Sequence, residues 1–247
     1  MKIIRVLWGN KINHEIPRLP LLENEVVYVW GEENNQMLLD RGYETRLLSS
    51  YMFEGEYNHF GKKLFALNQA LEEFGEVLLL DWDCFLLKPL DDHFYNTLKE
   101  KPVQIPLYIQ HKDTKDAILE VLPPNQSIKL QKELDIMGDG FKKYGWEWED
   151  GYVGPNFGFV YCRDKNLGNE LLKIALNNDL QTVVDEFATL IYVDCTLEEY
   201  IKKYLPSVVR GASNKKYILD NRLHRLGKKF NDYIDTKIKM TPYFEHV

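Results

Sequence analysis

Short apolar runs separated by amphipathic stretches fill the first third of the chain. Ile3–Leu7, Val26–Trp30, Thr45–Leu48 and Val77–Leu80 are short and mostly apolar, so each is read as a strand. Between the third and fourth runs the period changes. Phe60, Leu64, Leu67, Leu71 and Phe74 recur at helical spacing, which predicts a helix over His59–Phe74, and Gly75 stands where a left-handed cap belongs. Strands alternating with amphipathic helices predict a parallel sheet with crossover connections.

Beyond Val77–Leu80 a second apolar run, Phe85–Leu87, is broken at Pro89, and Asp91 or Asp92 is placed to cap a short helix ending near Leu98. Val103–Ile109 reads as another strand. The stretch Gln110–Gly154 has weak periodicity, a Pro123-Pro124 break and the aromatic residues Trp146, Trp148 and Tyr152; such an insertion reads as a binding loop or lid, its aromatics serving either an acceptor or a small satellite core. Asn156–Cys162 then reads as a strand, Leu167–Leu176 and Val183–Val193 as helices, and Ser207–Arg210 as a last short strand. The tail beyond Lys228 carries no clear period.

Composition narrows the function classes. With 247 residues, 45% of them hydrophobic and 28% charged, the chain is expected to form a single α/β domain spanning 1–247. A net charge of −7 argues against a constitutive duplex-binding face, which needs clustered Lys and Arg. Three widely spaced cysteines suit neither a disulfide framework nor a thiolate zinc site and point to a reducing compartment. The opening Lys2-Ile3-Ile4-Arg5-Val6-Leu7-Trp8 is too short an apolar stretch for a signal peptide or anchor, so a cytoplasmic location is expected. Dinucleotide, Walker A, nucleophile-elbow and His-Glu-x-x-His motifs are absent from the sequence.

The chemistry concentrates where the fourth apolar run stops, at Leu80-Asp81-Trp82-Asp83. In an open α/β sheet ligands bind outside the carboxyl ends of the strands. Two carboxylates one residue apart at such an end are hard oxygen ligands for one Mg²⁺ or Mn²⁺, whose remaining positions suit a diphosphate. Two solvated acids at a strand end are the plainer reading of the same residues.

The block from Val77 to Leu90 resembles glycosyltransferases of the GT-A fold, in which an Asp-x-Asp ends an apolar strand and is followed by an apolar run and a Lys-Pro-Leu element, here Lys88-Pro89-Leu90. It is most similar to two retaining families, the glycogenin-like enzymes and the initiating mannosyltransferases. The resemblance implies a Rossmann-like α/β domain with a mostly parallel central sheet, its donor-binding half about 1–110 and its acceptor side about 111–247. It also implies roles for particular residues. Lys62 or Lys63 matches a basic residue that meets the donor diphosphate. Asn156-Phe157-Gly158-Phe159 resembles the Asn-x-Gly strand facing the donor sugar, and Asp185-Glu186 the acidic pair near the transferred sugar. His224-Arg225-Leu226-Gly227-Lys228-Lys229 looks like the His-x-x-Gly-x-x-Lys ending, which makes His224 a third metal ligand and Lys228 or Lys229 the neutraliser of the leaving phosphate.

The sequence departs from these families in two places. The first strand ends Leu7-Trp8-Gly9-Asn10, so Trp8 and Asn10 are the candidates for meeting the base, and Asp185-Glu186 stands where Asp-Gln is usual. Each residue also has a structural reading: Trp8 as core, Lys62-Lys63 and Lys228-Lys229 as solvated faces, Asn156 as a strand terminator, Gly158 as a close-packing position, Asp185 as a helix cap and His224 as a surface residue. If the outcome were inversion, Asp185, Glu186 or Asp150 could supply the general base. The resulting expectation is an Mn²⁺- or Mg²⁺-dependent transferase acting on a UDP- or GDP-linked sugar and a glycan acceptor, with a nucleic-acid acceptor less favoured by charge. The rivals are a nucleotidyltransferase or sugar-phosphate hydrolase, and a non-catalytic glycan-binding module.

Overall fold

A computed structural model describes residues 1–9, 21–48, 60–111, 128, 132, 135, 138–140, 142–143, 146–148, 151–180, 183–210 and 221–246. The first half alternates as the sequence pattern requires: β1 (Lys2–Leu7), β2 (Glu25–Trp30), α1 (Glu32–Asp40), β3 (Glu44–Leu48), α2 (Gly61–Phe74) and β4 (Val77–Leu80). β5 (Cys84–Leu86), α3 (Asp92–Lys99), β6 (Val103–Gln104) and β7 (Leu107–His111) follow, then β8 (Trp146–Trp148), β9 (Gly151–Pro155) and β10 (Phe159–Cys162). The last third holds α4 (Leu167–Asn177), α5 (Val184–Val193), α6 (Leu197–Lys203), β11 (Val209–Arg210), α7 (Asn221–Lys237) and β12 (Phe244–His246).

The central sheet runs β3-β2-β1-β4-β10-β6. β3, β2, β1 and β4 are mutually parallel, and β10 enters antiparallel against β4. The fold is therefore α/β with a mostly parallel central sheet flanked by helices. Strand order proceeds outward from β1 through β2 to β3, then returns to place β4 on the other side of β1. This reversal makes a topological switch point between the carboxyl ends of β1 and β4, the place where open sheets of this kind receive ligands.

Both faces of the sheet are covered at its centre, so β2 and β4 are almost wholly buried, whereas the edge strand β3 is partly exposed and carries Glu44 and Arg46. Ile4, Val6, Val77 and Leu79 turn toward one core with Leu64, Leu67 and Leu71 of α2 and with α4 and α5. Leu78 and Leu80 turn the other way, joining Phe94 and Leu98 of α3, Phe159, Tyr161 and Phe244. α2 ends at Gly75, whose φ of 72° is left-handed and whose N–H donates to the Leu71 carbonyl, as the sequence predicts. α4 lies so close to α2 that a Cβ on Gly168 would come within 2.5 Å of the Asn68 Cα.

Several expectations are revised. The stretch Val103–Ile109 is two strands in two sheets: Pro106 has no N–H to continue a ladder, and the chain passes from β10's flank into an antiparallel sheet ordered β7-β9-β8. Asn156–Cys162 is a strand only from Phe159, because Asn156 Oδ1 accepts from the Gly158 N–H at 2.9 Å and makes a turn first. Much of Gln110–Gly154 lies outside the described residues, but β8 and β9 give its end regular structure. The tail, without visible period, contains α7 and β12. Among the described residues, no helix is long and apolar enough to cross a membrane.

Candidate metal centre at the carboxyl end of the central strands

Asp81 follows the last residue of β4, and its N–H donates to the Gly158 carbonyl at 2.7 Å. The turn that follows is fixed from below. Arg5, buried in the middle of β1, pairs with Glu25 at 2.9 Å and donates a second bond to the Asp81 carbonyl. The intervening Trp82 turns inward, where its indole N–H donates to the Val6 carbonyl at 2.9 Å and its ring packs edge-on to Tyr43. With the tryptophan anchored in the core, the carboxylates of Asp81 and Asp83 stay partly exposed on the open side.

The third donor comes from the far end of the chain. β12 pairs antiparallel with β5, setting His246 opposite Cys84, one residue beyond Asp83. Its Nε2 lies 3.0 Å from Asp83 Oδ1, and Asp81, Asp83 and His246 each present a ligand atom within 4.8 Å of the others. Burial raises the Asp83 proton affinity, but the bond and charge of His246 and then Lys63 outweigh it, so its pKa falls below the usual carboxylate value. Two carboxylates and an imidazole are a donor set suited to a divalent cation, and among the described residues the buried His246 Nδ1 has no hydrogen-bond partner. The residues fit the implied metal.

Gly158 makes room for this arrangement. A Cβ there would stand 2.3 Å from His246 Cε1 and 2.5 Å from its Nε2, which no side chain permits. The carbonyl of Gly158 also accepts from the Cys84 thiol at 3.0 Å, so one residue ties together the Asp-x-Asp turn and the histidine strand.

Behind the carboxylates lies a buried charged layer. Lys63 on α2 donates to Asp81 Oδ2 at 2.6 Å and lies 3.6 Å from Asp185 Oδ2. Burial disfavours its charge, yet Asp81 and Asp185 more than compensate and hold the ammonium above its ordinary pKa. Asp185 and Glu186 occupy the first turn of α5, where the helix N-terminus favours anions. The helix is launched from Val183, held left-handed at φ 44° and ψ 48°, a costly conformation for a β-branched residue. Burial chiefly lifts the Asp185 carboxyl from 3.8 to about 6, against the pull of Lys63.

No protein-family model and no curated protein sequence matches the chain. Solved structures resemble it in overall course. Mouse xyloside xylosyltransferase 1, in its apo form, aligns over 100% of this chain and 96% of its own at 13% identity, with a TM-score of 0.44. The galactosyltransferase LgtC, in complex with donor and acceptor sugar analogues, aligns over 100% and 86% at 12% identity, with a TM-score of 0.45. A CMP:2-keto-3-deoxy-manno-octonic acid synthetase complexed with CTP aligns over 68% and 77% at 10% identity, with a TM-score of 0.37.

The structure brings together Asp81, Asp83, Asp185, Glu186, Asn156 and Gly158 from the sequence-derived set. Lys63 meets Asp81, whereas Lys62 is half-buried with its amine 5.6 Å from the Trp30 ring. Trp8 is partly buried against the main core. Lys228 and Lys229 are exposed on α7. Asn10, Asp150 and the His224 side chain lie outside the described residues. Trp146 packs against the main core rather than a satellite one: its indole N–H donates to the Cys195 carbonyl and its ring packs on Tyr200. His246 was missed because nothing in a three-residue strand near the chain end announces its partner. Lys63 was legible, since it precedes Leu67 and Leu71 by four and eight positions and so shares their buried face.

Proposed function

We propose that this chain is a divalent-metal-dependent glycosyltransferase using a nucleoside-diphosphate sugar, with Asp81, Asp83 and His246 as its protein metal ligands. The observation that carries the reading is the convergence of these three donors at the switch point of the sheet, beside a buried Lys63 and Asp185. The mixed oxygen and imidazole set favours Mn²⁺ over Mg²⁺. When bound, such an ion supplies Lewis-acid stabilisation of the departing diphosphate.

The chain's own groups do the rest. Lys63 orients Asp81 and places fixed positive charge beside the diphosphate position, where negative charge develops as the glycosidic bond breaks. Asn156 uses its carbonyl oxygen on the Gly158 N–H, which leaves the amide nitrogen as the end to meet the donor sugar. Asp185 provides an anion on the far side of Lys63, next to the sugar to be transferred. The resemblance of the sequence blocks supports a UDP- or GDP-linked hexose, a retaining outcome and a glycan acceptor.

Calorimetric titration of UDP and GDP, each with and without Mn²⁺, tests this in wild type, Asp83→Ala, His246→Ala and His224→Ala. The expected result is manganese-dependent binding of one nucleotide, abolished in Asp83→Ala, weakened about tenfold or more in His246→Ala and retained in His224→Ala. Binding of neither nucleotide would move the assignment to a non-catalytic module. Turnover of nucleoside triphosphates without sugar transfer would move it to a nucleotidyltransferase.

A further inference from the structure

The buried layer behind the metal ligands holds more acid than base. Among the described residues, Asp185 has one ammonium within ion-pair distance, that of Lys63 at 3.6 Å, which also lies 2.6 Å from Asp81. Among the described residues no cation stands within ion-pair distance of Glu186, whose carboxyl accepts instead from the Tyr108 hydroxyl at 3.1 Å. Asp185 and Glu186 are adjacent in one helical turn and are 1% and 8% exposed, so solvent cannot screen one charge from the other. Ionising both Asp185 and Glu186 would set two buried negative charges against one ammonium that Asp81 already shares.

We propose that Glu186 keeps a proton on its carboxyl at neutral pH and acts as a neutral positioning group, leaving Asp185 as the single anion of the pair facing Lys63. The groups around it divide as this requires. Burial and then Asp185 push the Glu186 carboxyl well above its usual range, while Lys63 from α2, the Tyr108 hydroxyl from β7 and a backbone bond with Phe157 act weakly the other way. Tyr200 from α6 also feels the Glu186 charge, and burial and its neighbours keep that phenol neutral. Tyr108, likewise buried, stays protonated and donates to one Glu186 oxygen, which then serves as the carbonyl, with the acid proton on the other.

The division of roles rests on the proposed function, but the position of the proton does not. A neutral carboxylic acid donates a hydrogen bond and cannot serve as a general base, so any base or anionic role in this pair falls to Asp185. Because it carries no charge, Glu186 does not compete for Lys63.

Infrared difference spectroscopy at neutral pH reads the proton directly and needs no transfer activity. The wild type is expected to show the carbonyl stretch of a protonated carboxyl, shifting in heavy water, that is lost in Glu186→Gln. Tyr108→Phe removes the hydrogen bond to that carbonyl and is expected to move the band to higher frequency without abolishing it, a readout that survives if Glu186→Gln fails to fold. Absence of the band, its survival in Glu186→Gln, or its indifference to Tyr108→Phe would overturn the proposal. If the band behaves as expected while no nucleotide binds, the proton assignment stands and the transferase reading falls.

Discussion

Gly158 shows how closely one residue can govern a candidate metal centre. It offers no ligand, yet its missing side chain is the space the His246 ring occupies, and its backbone receives the Asp81 N–H and the Cys84 thiol. Gly158→Ala must displace the imidazole, since the new methyl would stand 2.3 Å from Cε1. We expect Mn²⁺ affinity to fall about tenfold or more with secondary structure unchanged, as read by metal titration beside circular dichroism. Unchanged affinity would mean that His246 is not a ligand. The sequence marked Gly158 through its Asn-x-Gly resemblance and as a close-packing position, but not the group it packs against, because the ring it accommodates lies 88 residues away in the chain.

At the scale of elements, β12 decides whether the site is complete. Its register with β5 alternates, so Phe244 and His246 point to one side, Phe244 into the core near Phe94 and Phe159 and His246 toward Asp83. Anchoring and ligation are thus coupled through a single strand. Phe244→Ala should cost about 3–5 kcal/mol of stability and also weaken metal binding. Phe94→Ala should cost as much while leaving the metal affinity closer to wild type, because α3 carries no ligand. Denaturant unfolding and Mn²⁺ titration of the two variants separate the effects; equal losses of affinity would show that β12 has no special role. Strands near the chain's start were legible as apolar runs bounded by polar residues. β12 was not, since a three-residue strand has no period and forms only between β11 and β5, the latter more than 150 residues away.

The buried charged layer is a property of the whole molecule, built from α2, β4, β7 and α5, and it links stability to pH. Asp185 binds its proton more tightly folded, at about 6, than at its ordinary 3.8. A group raised in this way favours folding below its unfolded value and loses that contribution as pH rises through its folded value. The wild type should therefore lose stability between 3.8 and about 6 from this residue. Asp185→Asn, which cannot ionise, should match wild type below that window and exceed it by about 3 kcal/mol above, as checked by denaturant unfolding over a pH series. A variant less stable than wild type at neutral pH would show that Lys63 depends on the Asp185 charge more than burial opposes it.

The sequence by itself determined what short-range physics can write. Apolar runs gave the parallel strands, the helical period of Leu64, Leu67 and Leu71 gave α2 with its Gly75 cap, and the abrupt stop at Asp81 gave two of the three candidate ligands. Tertiary structure decided which distant groups meet those two aspartates: His246 through strand pairing, Lys63 through the phase of a packed helix, and Asp185 through the docking of α5. Periodicity reports which face of an element avoids water, but long-range pairing depends on the surface each element finds when the chain closes, and that is a property of the fold rather than of any local stretch.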